Sequence, residues 1–169
     1  KRLFLRLPKK SDYEAQFKFL SEPENFPFAD YSVAKTYDDV GEYFKRMLSS
    51  YLDESIYWII SLKDTEEPIG TLSAWNLDLK ERTIEFGYAL YPKYRGNGYM
   101  LEAIPAAIDF IKKENKIYKF DIWTDSRNTK SLNLPKRLNF IYTGDCIEKA
   151  HYSDQNITYK TYRLTVEEE

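Results

Sequence analysis

The sequence predicts an α+β (layered α/β) fold, with a mixed sheet of about seven strands and about four helices against it. Three observations carry this. Residues 56–62 (IYWIISL) are continuously apolar, as in a strand buried on both faces. Segments of period two and period 3.6 interleave in the order β-α-α-β-β-β-α-β-α-β-β. Residues 85–101 (EFGYALYPKYRGNGYML) pass from a strand through a glycine-containing turn into a helix.

Each element follows from its local pattern. Residues 2–7 alternate, with Leu3, Leu5 and Leu7 set against Arg2, Phe4 and Arg6, which predicts a strand. Ser11 followed by Glu14 has capping-box spacing and predicts a helix over about 12–20. A loop rich in Pro and Phe follows. Thr36 with Asp39 marks a second helix start, running to about residue 50, with Val40, Tyr43, Phe44, Met47 and Leu48 on one face. Beyond the 56–62 strand, residues 68–76 and 82–90 read as strands joined by a polar hairpin loop over 76–81. Leu101, Ile104, Ile108 and Ile111 lie at helical spacing across 99–113, where Pro105 should kink the helix or cost it a hydrogen bond. Residues 118–124 read as a strand and 129–137 as a short helix. Strands over 140–143 and 157–164 close the sheet.

The 169 residues fit one domain, 1–169, with 43% hydrophobic content to build a core. The 25 basic and 27 acidic side chains nearly balance, so no basic footprint for nucleic acid or anionic membrane is expected. One Cys and one His argue against a disulfide framework, a Cys-rich zinc site or a His-dependent triad, and no metal is expected. No apolar run reaches the roughly 18 residues of a membrane span. The opening KRLFLRLPKK does not read as a signal peptide, so the expected compartment is the cytoplasm.

The strand–turn–helix at 85–101 carries the chemistry. Backbone N–H groups at a helix start are unpaired and, with the helix dipole, make an anion site suited to pyrophosphate. Gly96 and Gly98 remove side chains where backbone must approach phosphate, and Arg95 adds positive charge. A Walker loop is absent. The dinucleotide fingerprint lacks its third Gly or Ala, since Leu101 stands there. A glycine turn that binds nothing is the bland alternative.

On these residues the sequence resembles the GNAT superfamily of acetyl-CoA-dependent N-acetyltransferases, most of all the ribosomal-protein-alanine N-acetyltransferase branch. The family's Arg/Gln-x-x-Gly-x-Gly/Ala motif reads Arg95-Gly96-Asn97-Gly98-Tyr99-Met100 here. The branch's Glu-x-Gly-Tyr-x-Leu strand is matched by residues 85–90. Its later Asn-x-x-Ser, helix, Leu-Gly-Phe motif is matched by Asn128, Ser131 and Leu138-Asn139-Phe140. Three positions depart: Met100 for Gly or Ala, Asn139 for Gly, and Pro135 where many members carry a Tyr general acid.

The resemblance implies the GNAT fold, with a mostly antiparallel sheet, acetyl-CoA as cosubstrate and an amine as acceptor. It implies pyrophosphate binding by the backbone of Gly96, Asn97, Gly98, Tyr99, Met100 and Leu101 beside Arg95. Backbone N–H groups of Tyr88, Ala89 and Leu90 would meet the pantetheine arm and the carbonyl oxygen. Asn128 would bond the pantetheine; its alternative is a helix N-cap. Glu85 is the candidate general base, against a solvent-side charge or a salt bridge with Arg82. Ser131 is a candidate proton donor in place of the missing Tyr, against an ordinary first-turn serine. Phe26, Phe28, Tyr31 and Trp75 are candidates for the acceptor cleft, or aromatics that plug the core. The activity expected is N-acetylation of a primary amine in a ternary complex. The alternative is a noncatalytic acyl-CoA-binding or sensory relative. The expected state is a monomer or homodimer.

Overall fold

Every strand that the hydrophobic pattern marks joins one sheet. In the computed structural model, which describes residues 2–28, 32–49, 55–150 and 153–168, the elements run β1 (Leu3–Arg6), α1 (Tyr13–Leu20), α2 (Tyr37–Ser49), β2 (Ile56–Leu62), β3 (Pro68–Asp78), β4 (Thr83–Leu90), α3 (Tyr99–Asn115), β5 (Lys119–Asp125), α4 (Asn133–Arg137), β6 (Ile141–Lys149) and β7 (Asn156–Thr165). The sheet order is β1-β2-β3-β4-β5-β7-β6. All neighbouring pairs are antiparallel except β4 and β5, which are parallel.

Strand alternation divides the core in two. Ile56, Trp58 and Ile60 of β2 pack with Ile84 and Phe86 of β4 and with α3, while Tyr57 and Ile59 pack with Val40 and Phe44 of α2. β2 is therefore covered on both faces, as its unbroken apolar run requires. α3 buries Met100, Ala103, Ile104, Ala107, Ile108 and Ile111. Pro105 lies inside α3 without ending it. It is exposed, so the carbonyl it leaves without an N–H partner is on the wet side of the helix.

Several expected boundaries shift. The chain enters α1 through a 3-10 turn over Lys10–Asp12, closed by the Lys9 N–H donating to the Asp12 carboxylate at 2.8 Å, so the Ser11–Glu14 spacing does not make the cap. Asp12 is held there by both terminal nitrogens of Arg6, at 2.8 and 2.7 Å. Leu7 lies past the end of β1 and is exposed; Pro8 follows it and cannot donate to a ladder. Thr36 and Asp39 form the expected reciprocal cap of α2. The polar 76–81 segment is partly strand, because β3 continues to Asp78 through an irregularity in which Asn76 takes φ 55°. Asn128 and its neighbours form turns, so α4 begins only at Asn133. β6 extends to Lys149, past the expected 143.

The β4–β5 ladder stops at Phe86 opposite Ile122, yet β4 continues to Leu90 and β5 to Asp125. Phe86 and Phe120 stack at 5.7 Å within the paired part. Beyond them the two parallel strands part.

Candidate active site

The parting of β4 and β5 leads into the glycine turn. After β4 the chain makes one 3-10 turn over Pro92–Tyr94 and then enters α3 through Arg95, Gly96, Asn97 and Gly98. Gly96 has φ 80° and Gly98 φ 74°, conformations that L side chains rarely adopt. A side-chain carbon built on Gly96 would meet nothing within 4 Å, so the backbone there faces open space. The neighbouring side chains turn away from that space. Asn97 Nδ2 donates to the carbonyls of Tyr94 and Arg95, each at 3.2 Å. Met100 is buried in the core, so its bulk does not crowd the turn. The first N–H groups of a 17-residue helix open toward that space, except that of Leu101, which donates to the Gly98 carbonyl at 3.2 Å, and such a helix start fits a pyrophosphate.

Two arginines flank this turn. Arg95 donates to the Leu90 carbonyl and to the Asn25 carbonyl, both at 2.9 Å. It thereby braces the segment after α1 against the end of β4. Arg2 was not among the expected site residues. Its guanidinium donates to the Asn97 carbonyl at 3.0 Å, pairs with Glu102 and stacks 4.4 Å over Tyr99.

Glu85 stands on the opposite side of the sheet from α3. A row crosses the strands at its level: Trp75 on β3, Glu85 on β4, Asp121 on β5 and Arg163 on β7. Glu85 Oε2 accepts from Asn76 Nδ2 at 3.0 Å. Arg82 is engaged with Glu168 and Tyr118, so the alternative of an Arg82–Glu85 salt bridge does not hold. Arg163 forks onto Asp121 at 2.7 and 2.6 Å. Burial pushes the Glu85 carboxyl up to about 7, helped by the negative charges of Asp121 and Glu148 and opposed by the Asn76 bond. A carboxyl titrating there is a proton acceptor suited to neutral pH.

Tyr88 lies three residues on, facing the α3 side. Its hydroxyl and Ser131 Oγ are 3.1 Å apart, and either can donate. Ser131 itself is set by Asn128, whose side-chain oxygen and backbone carbonyl both accept from the Ser131 N–H. Asn128 thus does cap the turn, through its carbonyl end. Burial raises the Tyr88 phenol above its ordinary value, against the pull of Ser131 and of the Thr124 hydroxyl. Pro135 is buried within α4. It falls in the first turn, where a missing N–H costs no helical bond.

The expected acceptor aromatics divide. The Trp75 ring lies over Gly87, where any side-chain carbon would fall 2.0 Å from the ring. Trp75 is 36% exposed, on the same face as Glu85. Phe26 packs into the main core against Phe19, with centroids 4.4 Å apart. Phe28 lies beside the Arg127 guanidinium, 5.9 Å from the ring centroid. Tyr31 lies outside the described residues. No local pattern marks Asn76, Thr124 or Arg2 as site neighbours, because each is placed by register or by a contact distant in sequence. Among the described residues no group of three or more His, Cys, Asp or Glu is placed to hold a metal ion, and no helix is long and apolar enough to cross a membrane.

The chain is similar to several known acetyltransferases. Two curated relatives from bacilli are each 28% identical to the chain. The uncharacterized N-acetyltransferase YoaA of Bacillus subtilis matches over 110 residues, 64% of this chain and 62% of that protein's own length. The uncharacterized N-acetyltransferase p20 of Bacillus licheniformis matches over 145 residues, 82% of this chain and 79% of its own. Among solved structures, RimL, a ribosomal L7/L12 alpha-N-protein acetyltransferase in complex with coenzyme A, superposes with a TM-score of 0.85 at 16% identity. That match covers 100% of this chain and 97% of that one. A spermidine N-acetyltransferase from Vibrio cholerae, in complex with CoA and spermine, gives 0.83 at 15%, covering 97% and 95%. At such identities these structures show a shared fold. The acetyltransferase (GNAT) domain family matches residues 2–141. The chain belongs to that family, the GNAT acetyltransferases, which are acetyl-CoA-dependent acyltransferases.

Proposed function

We propose that the protein transfers an acetyl group from acetyl-CoA to a primary amine, a protein N-terminus or a small amine, by direct attack in a ternary complex. The observation that carries this is Glu85: a carboxyl pushed up to about 7 by burial, beside an exposed Trp75, one residue before the β4–β5 ladder ends. Acetyl-CoA, when bound, supplies the acetyl group as an activated thioester. The N–H groups of 96–100 hold its pyrophosphate, with Leu101 closing the turn behind them. Tyr88, Ala89 and Leu90 stay paired to β3 but lie past the end of the β5 ladder, so the backbone N–H groups on the edge turned from β3 are left for the pantetheine arm and the developing oxyanion. Asn128 has its amide end left for the same arm. Glu85 accepts the amine proton, needed because a lysine amine titrates near 10.4 and an α-amine near 8.

Trp75 forms the wall of the acceptor cleft. Phe28 contributes at its rim, while Phe26 acts by packing its segment onto the core. The partners are acetyl-CoA and the amine, with no nucleic acid and no membrane. The protein works in the cytoplasm as a monomer or homodimer. Pro135, buried at the place of the family's Tyr acid, favours a second reading, a noncatalytic acyl-CoA-binding relative.

Thermal unfolding with acetyl-CoA, CoA, ATP and NAD, each in excess, tests the cofactor. A ligand at about a hundred times its Kd adds roughly 2.7 kcal/mol, a rise of about 5–10 °C for this size. A rise with the CoA species alone supports the site; a rise with ATP or NAD instead overturns it. Acetylation of any member of a panel of peptide N-termini, polyamines and amino sugars separates the enzyme from the noncatalytic reading.

A further inference from the structure

We propose that the Tyr88 hydroxyl, coupled to Ser131, donates the proton that the departing CoA thiolate requires, in the role that Pro135 leaves vacant. This rests on the acetyl-transfer reading above.

Position is the first argument. Tyr88 lies two residues beyond Phe86, and Thr124 two residues beyond Ile122; Phe86 and Ile122 are the last paired residues of β4 and β5. The Tyr88 side chain reaches from one parted strand to the segment that follows the other, meeting Ser131 at 3.1 Å. Its hydroxyl therefore sits where the pantetheine arm must run if the arm pairs with the free edge of β4.

Composition is the second. The face that Tyr88 joins is hydrocarbon, built from Ile84, Phe86, Phe120, Ile122 and α3. A hydroxyl placed there must find partners or cost stability. A strand serving only to seal that core would use Phe. Here three hydroxyls, Tyr88, Ser131 and Thr124, gather at one point from β4, the turn before α4, and β5.

Chemistry is the third. An isolated serine is far too weak an acid to match a thiol near 8.5, whereas a phenol ordinarily titrates near 10. Burial keeps the Tyr88 phenol protonated at neutral pH, which a donor requires. The balance closes. The amine nitrogen bonds to the acetyl carbon and gives its proton to Glu85. The carbon–sulfur bond breaks, its electron pair goes to sulfur, and sulfur takes the Tyr88 proton. The Ser131 hydroxyl holds the phenolate by a hydrogen bond, and the phenolate regains its proton from solvent. Glu85 and Tyr88 face opposite sides of β4, so the proton accepted and the proton given do not compete for one site.

The test reads bound CoA rather than turnover alone. Thiolate absorbance of the CoA complex, taken as a difference from the protein alone across pH 6–9.5, gives the pKa of the bound thiol. In the native protein it should lie about one unit below that of free CoA. In Tyr88→Phe it should return to the free value, with CoA affinity at pH 6 within about twofold. Ser131→Ala should give a smaller return. With any amine the protein acetylates, Tyr88→Phe should lower kcat roughly 10²–10⁴-fold and leave KM for acetyl-CoA unchanged. An unmoved thiol pKa in Tyr88→Phe overturns the proposal, and a parallel loss of CoA affinity and thermal stability marks Tyr88 as a strap across the gap. Failure of the native protein to bind CoA overturns the acetyl-transfer reading itself. A normal thiol shift with no amine acetylated leaves Tyr88 in place and removes the acceptor reading.

Discussion

Glu85 and Tyr88 stand three residues apart on one strand and face opposite sides of the sheet. Around Glu85 the surroundings are polar: Asn76, Asp121 with its Arg163 fork, and the Trp75 ring. Around Tyr88 they are hydrocarbon, broken by Ser131 and Thr124. The first cause of both shifts is the same, burial, which disfavours the charged form of each group. The consequences are opposite. A carboxyl moved up to about 7 becomes a base that works near neutrality, while a phenol moved up stays a donor. A single stretch of low dielectric thus prepares an acid on one face and a base on the other, and strand alternation keeps them apart.

Removing the charge on one face sharpens this comparison most. Glu85→Gln should cut turnover roughly 10²–10⁴-fold while CoA affinity stays within about twofold; unchanged turnover across pH removes Glu85 from the mechanism. The same variant should be more stable than the native protein at pH 8. The folded pKa lies above the ordinary 4.5, so between 4.5 and about 7 the native state binds more protons than the unfolded state. Stability therefore falls as pH rises through that window, by about 3 kcal/mol at most. Gln escapes that cost, so the stability difference between variant and native protein should grow from pH 4 to pH 8. Chemical denaturation at the two pH values checks it, and a variant less stable at pH 8 means the carboxylate is solvated.

The acceptor wall tests the same face by shape. A methyl at Gly87 must displace the Trp75 ring, which it would meet at 2.0 Å. Gly87→Ala should cost about 1–3 kcal/mol, and Trp75→Ala should remove most of that cost in the double variant. Additive effects would mean the ring does not lie there. Gly96→Ala has no steric neighbour but retains φ 80°. It should cost about 1–2 kcal/mol from the left-handed backbone alone, with a roughly tenfold loss of CoA affinity if the turn must relax. Calorimetry reads the second effect separately from the first.

How much of this was legible depends on how local the cause is. The Thr36–Asp39 cap, the buried run of β2 and the Gly96–Gly98 turn are written within a few residues, and they stand as read. The Ser11–Glu14 spacing does not make a cap, because the side chain that reaches back to the Lys9 N–H is Asp12, held by Arg6 across the strand end. Arg95 looked like a phosphate ligand by composition, yet both its bonds go to carbonyls, one of them seventy positions away at Asn25. Phe26 and Trp75 had the same aromatic character in the sequence; packing against Phe19 and over Gly87 separates them. The Tyr88–Ser131 contact needs the register of β4 against β5, which no local pattern carries.

The smallest expected effect is also the finest probe of the comparison. Asn76 sits at φ 55° in the β3 irregularity, where its side chain meets Glu85 at 3.0 Å. That bond favours the ionised carboxylate and so works against burial, the cause that raises Glu85. Asn76→Gly keeps the left-handed backbone at no steric cost and deletes only the bond. The Glu85 midpoint should then move above about 7 by roughly 0.5–1 unit, since a bond to a partly solvated charge contributes about 1 kcal/mol. The acid limb of the kcat/KM profile would shift to higher pH, while the bound-thiol titration, which reads Tyr88, would stay where it was. A shift in both would mean that the two faces of β4 are coupled through the strand, and that the proton taken and the proton given belong to one network.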